Sequence, residues 1–430
     1  MNGKTYEVLI VGSGAGGATL ARELATRGRS VLVVEKGTRA RRLGSFRHTL
    51  PYFDGHPVTR TPRKSKEGVI LWRTIMAGGS TVVSCGNATR CLETELAERG
   101  VLLESEFLEA EGEMGVEPMA EERLTEGSRR VRDAANDLGY EMEPTPKCIE
   151  FARCAQCGQC VFGCPNDAKW TAVRPLDEAV AAGAEVVYGT AVHKVAVEGG
   201  RAVGVVAAGV DGGRVAFAAD TVVLSAGGLA SPAILQRSGI EDAGSGLFID
   251  LLVNTYGVAD GANMIGEPPM ALVSHHFYEN GGFILSPYVS HQRLVRMMEL
   301  GRKGLSLPDD RLLGIMTKSR DDASGRVNAD GSVSKRVTEA DRSRLDEGAA
   351  ISREILVKAG AKRSSVLVSA PQGAHPGGTA AIGKVVDEDL RTRVDGLYVC
   401  DGSVLPVAPG MPPILTIVAL AKRLAAHLAA

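Results

Sequence analysis

A glycine-rich stretch near the N-terminus constrains the fold of this chain more than any other part of the sequence. The segment GSGAGG fits the pattern G-x-G-x-x-G, with the fixed positions at Gly12, Gly14 and Gly17. It follows an apolar run at residues 8–11, which predicts a buried strand, and precedes residues 18–27, which predict a helix. Glycines in such a turn let the helix N-terminus bring its N–H groups close to a pyrophosphate. The segment therefore predicts a βα unit that binds a dinucleotide.

The next strand agrees with this prediction. Residues 31–34 form a second apolar run, which ends at Glu35. An acidic residue about 20 positions after the glycine turn accepts hydrogen bonds from a ribose hydroxyl in folds of this kind. An ordinary strand-to-helix turn would not explain the order of strand, helix, strand and acid. The pattern occurs once, so we expect one dinucleotide, but the pattern does not distinguish FAD from NAD.

The composition excludes several classes of protein. Of the 430 residues, 44% are hydrophobic and 23% are charged, which is typical of a globular protein of about three domain-equivalents. The 49 Lys and Arg residues are balanced by 51 Asp and Glu residues, so no positive field favours a nucleic-acid partner. The apolar runs are shorter than the about 20 residues that cross a bilayer, and no secretion signal is recognised. We expect a cytoplasmic protein without a transmembrane segment.

Four of the eight cysteines lie within eleven residues. Their spacing, Cys154-x2-Cys157-x2-Cys160-x3-Cys164 followed by proline, is that of the bacterial ferredoxin motif for a 4Fe-4S cluster. Structural zinc normally uses two separated pairs of ligands, so the compact spacing favours zinc less. A 4Fe-4S cluster is therefore predicted, with zinc or a cysteine-rich structural loop as the alternative. The nearby Cys148 is an alternative fourth ligand to Cys164.

Four further segments lie downstream of the glycine turn in a fixed order. They are AGGST at residues 77–81 with GN at 86–87, AGGLASP at 226–232, HPGGT at 375–379, and LYVCDGS at 397–403 running on to a final apolar helix. In sequence and order they resemble the signatures of the glucose-methanol-choline (GMC) flavoprotein oxidoreductases. The cholesterol oxidase branch is most similar at the C-terminus.

This resemblance implies that the dinucleotide is FAD and assigns residues to it. Beside Gly12, Gly14, Gly17 and Glu35, the implied cofactor-binding residues are Gly78, Gly79, Ser80, Asn87, Asp401, Gly402 and Pro412. Side chains at positions 78 and 79 would collide with the isoalloxazine in such enzymes. The final helix, which follows Pro412 and Pro413, would direct its positive N-terminus toward the flavin.

The resemblance also places His375 beside the reactive face of the flavin. Oxidation of an alcohol needs a group that accepts the hydroxyl proton, and neutral imidazole suits that role at physiological pH. His375 is therefore the candidate catalytic residue. Family members usually carry a second Asn or His in the last segment, but Pro412 stands there and has no side-chain donor or acceptor. The pair His275 and His276 could supply the missing partner, but the favoured interpretation is that both lie in an exposed loop.

The predicted fold class is α/β, with a Rossmann-like FAD-binding domain that is discontinuous in sequence, an α+β substrate domain and a cysteine-rich insertion. The predicted segments are FAD-binding parts at 1–91, 171–243 and 370–430, a helical segment at 92–147, an iron-sulfur insertion at 148–170 and a substrate domain at 244–369.

These features predict an FAD- and 4Fe-4S-dependent dehydrogenase. Hydride would pass from a CH-OH substrate to flavin N5, and electrons would leave singly through the cluster to a ferredoxin-like protein or a quinone. Two alternatives remain: a reductase that runs in the opposite direction on an unsaturated or carbonyl substrate, and a non-catalytic electron-transfer subunit. The substrate itself lies in the unmatched domain and does not follow from the fold.

Overall fold

The computed structural model describes residues 4–55, 62–290 and 292–430. Its strands are β1 Thr5–Val11, β2 Val31–Val34, β3 Arg63–Lys64, β4 Ile70–Leu71, β5 Glu117–Pro118, β6 Glu143–Pro144, β7 Pro146–Lys147, β8 Glu185–Val187, β9 Ala191–Glu198, β10 Arg201–Ala208, β11 Arg214–Leu224, β12 Ser245–Leu247, β13 Leu251–Val258, β14 Leu272–Val273, β15 Phe283–Pro287, β16 Leu312–Ser319, β17 Gly325–Val327, β18 Val333–Ser334, β19 Leu367–Val368, β20 Gln372–Gly373 and β21 Leu397–Val399.

The α-helices are α1 Ala15–Thr26, α2 Phe46–Thr49, α3 Glu93–Ala97, α4 Glu104–Met114, α5 Glu126–Asn136, α6 Val173–Ala181, α7 Ser231–Arg237, α8 Tyr278–Gly281, α9 Arg293–Leu300, α10 Glu339–Lys358 and α11 Ile414–Ala429. Short 3-10 helices lie at Gly79–Val83, Cys160–Phe162 and Gly402–Val404, among others. Within the described residues, every helix is too short or too polar to span a lipid bilayer.

The first sheet has the order β8-β2-β1-β11-β10-β9, and β21 pairs with the C-terminal half of β11. The strands β8, β2, β1, β11 and β21 run parallel, whereas β10 and β9 join antiparallel. Helices α1, α6 and α11 pack together beside it. Parallel strands buried on both faces read as continuous apolar runs, which is why the short runs at 8–11 and 31–34 are recognisable in the sequence.

Helix α1 begins three residues earlier than the predicted 18–27. Ala15, Gly16 and Gly17 are already helical, so the glycine turn is tighter than the hydrophobic pattern indicated. The helix ends at Thr26, one residue before the predicted end, and Gly28 follows with a φ of +82°.

The second sheet has the order β15-β16-β13-β20-β4-β3, and β19 pairs with β13. Helix α10 packs on one face of β13, β15 and β16. Strands β3 and β4 belong to a segment predicted as FAD-binding, and β20 belongs to another, so three separate segments of the chain build this sheet. The predicted α/β fold class with a Rossmann-like part and a second, α+β part is confirmed; the domain boundaries stay a prediction.

Candidate active site

Both sheets border one large cavity of about 710 Å³. Val11 and Val34 reach it from the ends of β1 and β2, and Leu252 and Met316 reach it from β13 and β16. Ligands of open α/β sheets bind outside the carboxyl ends of the parallel strands. The position of the cavity is therefore that of a nucleotide with a substrate space attached.

The glycine turn forms one wall of this cavity. Gly12 has a φ of +96°, and a Cβ there would lie 2.5 Å from the carbonyl oxygen of Ser225. Gly14 faces open space, since a Cβ built on it meets no atom within 4 Å. Gly17 does not line the cavity; a Cβ there would lie 2.1 Å from the carbonyl oxygen of Gly12, so its role is close packing of helix on turn.

Glu35 lies at the cavity wall, but its carboxylate is already engaged with the chain. Its Oε2 accepts hydrogen bonds from the N–H and the hydroxyl of Ser13 at 2.9 and 2.8 Å, and its Oε1 accepts from the N–H of Gly37 at 2.6 Å. Glu35 therefore ties the glycine turn to the end of β2. Its contact with a ribose stays a prediction.

The loop from Gly78 to Asn87 forms a second wall. Gly78 has a φ of +82° and packs against Val173 rather than lining the cavity. Gly79 and Ser80 do line it, and a Cβ on Gly79 would lie 3.2 Å from the Cα of Gly14. Asn87 is buried at the cavity, where its side-chain oxygen accepts a hydrogen bond from Lys147.

The C-terminal segment closes the nucleotide side of the cavity. Asp401 and Gly402 line it, and the Asp401 carboxylate accepts hydrogen bonds from the Gly227 N–H at 2.8 Å and the Ser231 hydroxyl at 2.5 Å. These bonds hold the 226–232 signature against the 397–403 segment. Pro412 also lines the cavity and lies two positions before Ile414, the first residue of α11.

His375 lines the same cavity and has a partner that sequence reasoning missed. Its Nδ1 lies 2.8 Å from Oδ2 of Asp250, whose Oδ1 accepts a hydrogen bond from the Gly410 N–H at 2.9 Å. Burial, and then the nearby Lys318 ammonium, hold the pKa of His375 well below its usual value. Burial raises the pKa of Asp250 to about 7. The imidazole is therefore neutral at physiological pH and oriented by a carboxylate, which suits a proton acceptor.

Lys318 is the second residue that the sequence did not single out. It lies on β16 opposite Leu252 of β13, lines the cavity, and is 2% exposed. Burial lowers its pKa, and the charge of Asp250 opposes that shift. Its sequence signal is weak. Lys318 lies near the end of the run LLGIMTKS, whose first five residues have no polar side chain and are typical of a buried strand.

A buried polar cluster forms the floor of the cavity beyond Lys318. Glu299 accepts hydrogen bonds from the Asn254 and Gln372 amides, each at 3.0 Å, and from the Tyr256 hydroxyl at 2.6 Å. Burial raises the pKa of Glu299. The Oδ1 atom of Asn254 has no hydrogen-bond partner among the described residues.

The four clustered cysteines surround a second, much smaller cavity. Cys154, Cys157, Cys160 and Cys164 all line it, and all are free thiols. The Ala168 N–H donates a hydrogen bond to Cys164 Sγ at 3.3 Å. Within the described residues, however, no three His, Cys, Asp or Glu side chains converge as ligands of a metal ion. The cluster stays a prediction.

Two buried lysines connect the cysteine loop to the cavity. Lys169 donates hydrogen bonds to the carbonyl oxygens of Val82, Ser84 and Cys160 at 2.9, 2.7 and 3.1 Å. Lys147 donates to the carbonyl oxygen of Pro269 at 2.8 Å and also to Asn87. Both ammonium groups bond to neutral oxygens in a buried region. Val161 and Phe162, which lie inside the cysteine motif, line the large cavity.

The pair His275 and His276 lies elsewhere. Neither residue lines the cavity; His276 is exposed, and its ring packs 5.5 Å from the Tyr140 ring. The pair is therefore not the missing partner of His375 in this structure.

A parallel nucleotide-binding sheet, a glycine turn at the end of β1 and a second sheet that closes the same cavity define a dinucleotide-dependent oxidoreductase with a separate substrate side. The GMC oxidoreductase models of the N-terminal and C-terminal regions match residues 6–258 and 314–421. The chain belongs to the GMC oxidoreductase family and is an FAD-dependent oxidoreductase.

Relatives extend over nearly the whole chain. An uncharacterized protein of Methanocaldococcus jannaschii is 30% identical over 428 residues, which cover 97% of this chain and 98% of that protein. A long-chain-alcohol oxidase of Arabidopsis thaliana is 25% identical over 514 residues, which cover 96% of this chain and 65% of that protein.

Solved structures agree on the fold. A pyridoxine 4-oxidase from Mesorbium loti superposes with a TM-score of 0.75 at 17% identity, covering 98% of this chain and 99% of that one. A formate oxidase of Aspergillus oryzae superposes with a TM-score of 0.74 at 16% identity, covering 100% of this chain and 98% of that one. The resemblance of the C-terminal segment to the cholesterol oxidase branch stays a prediction.

FAD fits the residues that line the large cavity. A phosphate could lie against backbone atoms at the N-terminus of α1, since no atom lies within 4 Å of a Cβ built on Gly14. Gly79 approaches Gly14 closely there and has no side chain either. The volume lies within the range of about 300–1,000 Å³ that is usual for ligand sites.

Proposed function

We propose that this enzyme oxidises an alcohol, with His375 as the group that accepts the hydroxyl proton. The observation that carries the proposal is the His375–Asp250 pair at the cavity wall, with Nδ1 and Oδ2 2.8 Å apart. A buried carboxylate that accepts the Nδ1–H bond leaves Nε2 as the proton acceptor. The Arabidopsis relative is named a long-chain-alcohol oxidase, which favours an alcohol substrate for this chain as well.

The chemistry needs two acceptors. FAD, when bound, supplies the acceptor for the hydride of the substrate C–H bond. His375 Nε2 takes the proton of the hydroxyl, so the alcohol loses two electrons and two hydrogens and becomes a carbonyl. Asp250 holds the imidazole in one tautomer and stabilises the positive charge that forms on it. Gly410 holds Asp250 in turn through its N–H.

The proposal includes a 4Fe-4S cluster in the cysteine loop. The ferredoxin spacing, the small cavity that Cys154, Cys157, Cys160 and Cys164 share, and the free state of all four thiols support it. Zinc is favoured less, because structural zinc normally takes two separated pairs of ligands and the four cysteines here are compactly spaced. Such a cluster takes one electron at a time.

Charge also favours an anionic group in this loop. Lys169 and Lys147 bond to neutral oxygens, and buried cations without a counter-charge are costly. A cluster held by thiolates would supply that negative charge. Cys164 is the better fourth ligand, since Cys148 does not line the small cavity and directs its Sγ to the carbonyl oxygen of Gly86 at 3.3 Å.

Electrons would then leave to a one-electron acceptor such as a ferredoxin-like protein or a quinone. Wall residues Val161 and Phe162 bring the cysteine loop against the large cavity, which favours transfer over a short distance.

The test is anaerobic reduction of the purified holoenzyme. A panel of alcohols, from short to long chain, is mixed with the enzyme while the flavin absorbance is followed, and His375→Gln is compared with wild type. We expect an alcohol to bleach the wild-type flavin and the variant to be slower by about 100-fold or more. The control is His427→Gln, since His427 lies on α11 away from the cavity.

Two results would contradict the proposal. If no alcohol bleaches the flavin but reduced ferredoxin does, the enzyme is a reductase that runs in the opposite direction. If His375→Gln is reduced by the alcohol as fast as wild type, the chain is an electron-transfer subunit or uses another base.

A further inference from the structure

We propose that Lys318 binds an anionic group of the substrate, so that the substrate is a hydroxy acid whose carboxylate lies close to the carbon that is oxidised. That the substrate carries a hydroxyl group rests on the proposed function. That it also carries a carboxylate rests on the geometry of the second sheet.

The first argument is the contrast between Lys318 and the other buried lysines. Lys335 pairs with Asp321 at 2.7 Å, Lys422 pairs with Glu23 at 2.8 Å, and Lys147 and Lys169 bond to several oxygens. The Lys318 ammonium makes no hydrogen bond and no ion pair with any residue that the structure describes, although it is only 2% exposed. A desolvated charge of this kind is unfavourable unless something binds it.

The second argument is its position. On the β13–β16 ladder, Leu252 lies opposite Lys318 and Asn254 lies opposite Met316, and all four residues line the cavity. Lys318 therefore lies on the sheet face that looks into the cavity. Thr317, the residue before Lys318 on β16, lies on the opposite face of the sheet, where its hydroxyl is 3.3 Å from that of Ser352 on α10.

The third argument is the distance from His375. Asp250 immediately precedes β13, and Lys318 lies opposite Leu252 on the neighbouring strand. The charge of Lys318 lowers the pKa of both Asp250 and His375, which agrees with a position near the pair. Asp250 in turn holds His375 at 2.8 Å. A substrate whose hydroxyl reaches His375 would thus have Lys318 within a few bonds of its reacting carbon, as a carboxylate on the neighbouring carbon requires.

The fourth argument is the charge that is available nearby. The charge of Asp250 acts on Lys318, but the two oxygens of Asp250 are already bonded to His375 and to the Gly410 N–H. Asp321 is bonded to Lys335. Neither acid accepts a hydrogen bond from Lys318, so among the described residues its N–H groups are left for a ligand carboxylate.

The surroundings complete the description of the substrate. An apolar cluster at the cavity is formed by Met270, Met316 and Leu252, with Cys85 and Tyr288 packed against it. A hydroxy acid with an apolar tail would place its acid on Lys318, its hydroxyl at His375 and its tail on this cluster.

The reduced flavin is another source of negative charge, and the experiment separates it from a substrate acid. Binding of acetate and of octanoate to the oxidised holoenzyme is measured from the flavin difference spectrum, for wild type, Lys318→Met and Lys318→Arg. Formation of the flavin sulfite adduct, which responds to positive charge beside the flavin ring, is measured for the same proteins. Thermal unfolding of each holoenzyme shows whether it is folded.

We expect Lys318→Met to bind octanoate about 10- to 100-fold more weakly than wild type, the worth of a hydrogen bond to a charged group. Lys318→Arg should retain most of the affinity, and sulfite affinity should change little in either variant. In turnover, 2-hydroxyoctanoate should have a much lower KM than octane-1,2-diol for wild type. The two substrates should become similar for Lys318→Met.

Three results would overturn the inference. They are octanoate binding that is unchanged in Lys318→Met, a loss of sulfite affinity with carboxylate affinity intact, and a wild type that prefers the neutral diol. Carboxylate binding is measured without turnover, so a failure of the proposed alcohol chemistry is seen separately: no alcohol would bleach the flavin while Lys318-dependent binding persists.

Discussion

At the scale of single residues, the proposed proton chemistry depends on which nitrogen of His375 carries the proton. An ionised Asp250 accepts a hydrogen bond from Nδ1–H and leaves Nε2 free to accept. A protonated Asp250 would instead donate to Nδ1, and the ring proton would then lie on Nε2. The state of Asp250 therefore decides whether His375 is a base.

This gives the expected pH dependence. Burial raises the pKa of Asp250 to about 7, while the charges of Lys318, Arg320 and Lys335 oppose that rise. Because the group must be ionised for activity, activity is retained above this pKa and lost as the pH falls through it. We expect kcat/KM to fall about tenfold per pH unit below about pH 7, measured from pH 5.5 to 9 with the alcohol found in the screen. A flat profile over this range would contradict the tautomer argument.

Replacing the carboxylate tests the same pair directly. Asp250→Asn keeps the shape but offers one oxygen where the Gly410 N–H and His375 Nδ1 each need one. We expect kcat to fall by about 100-fold or more, as when a histidine is held in the wrong tautomer. The inflection near pH 7 should disappear from the rate profile, whereas flavin content should stay unchanged. Wild-type kcat in this variant, or an inflection that remains, would show that Asp250 is only structural.

At the scale of elements, helix α10 fixes the second sheet from behind the cavity. Thr338 is its N-cap, and its hydroxyl accepts a hydrogen bond from the Asp341 N–H at 3.1 Å while Asp341 bonds back to the Thr338 N–H. This capping box explains why the helix begins at Glu339.

The hydrogen bond of the Thr338 side chain to the helix N-terminus should make a measurable contribution to the free energy of unfolding. Thr338→Ala removes one partner of an N-terminal N–H and should lower the free energy of unfolding by about 1 kcal/mol. Thr338→Ser keeps the hydroxyl and should cost much less. Urea unfolding of the holoenzyme, followed by far-ultraviolet circular dichroism, compares the midpoints. Equal midpoints for the alanine and serine variants would mean that the cap does not stabilise this helix.

At the scale of the whole molecule, the predicted flavin loop and the cysteine loop of the proposed cluster are joined by buried hydrogen bonds. Lys169 bonds to Val82 and Ser84 of the predicted flavin loop and to Cys160 of the cysteine motif. The Lys169 ammonium group thus holds the two loops against each other.

Metal analysis tests the second cofactor. Anaerobically purified wild type should contain about four irons and four sulfides per flavin. Cys157→Ser and Cys164→Ser should lose most of the iron, whereas Cys148→Ser should retain it, because Cys148 does not line the small cavity. If Cys148→Ser loses its iron and Cys164→Ser retains it, the fourth ligand is Cys148 and not Cys164. Absence of sulfide from all preparations would contradict the cluster.

The sequence by itself determined the parts of the protein that depend on neighbouring residues. Gly12, Gly14 and the strands on either side of α1 are recognisable because a tight turn, a buried parallel strand and a helix start each leave a local pattern. The cysteine spacing is also a local pattern, but the cluster that it predicts stays a prediction. The segment that carries His375 was recognised by its resemblance to the GMC signatures.

Only the tertiary structure decided what faces His375. Asp250 lies 125 positions away in the sequence, and Lys318 lies on a different strand again. Asp250 meets His375 just before β13, where the Gly410 N–H holds it. The pairing of β13 with β16 brings Lys318 to the same cavity, and neither arrangement has a short-range signature. A lysine in an apolar run becomes a site for an anion when strand pairing turns it inward and leaves it without a partner.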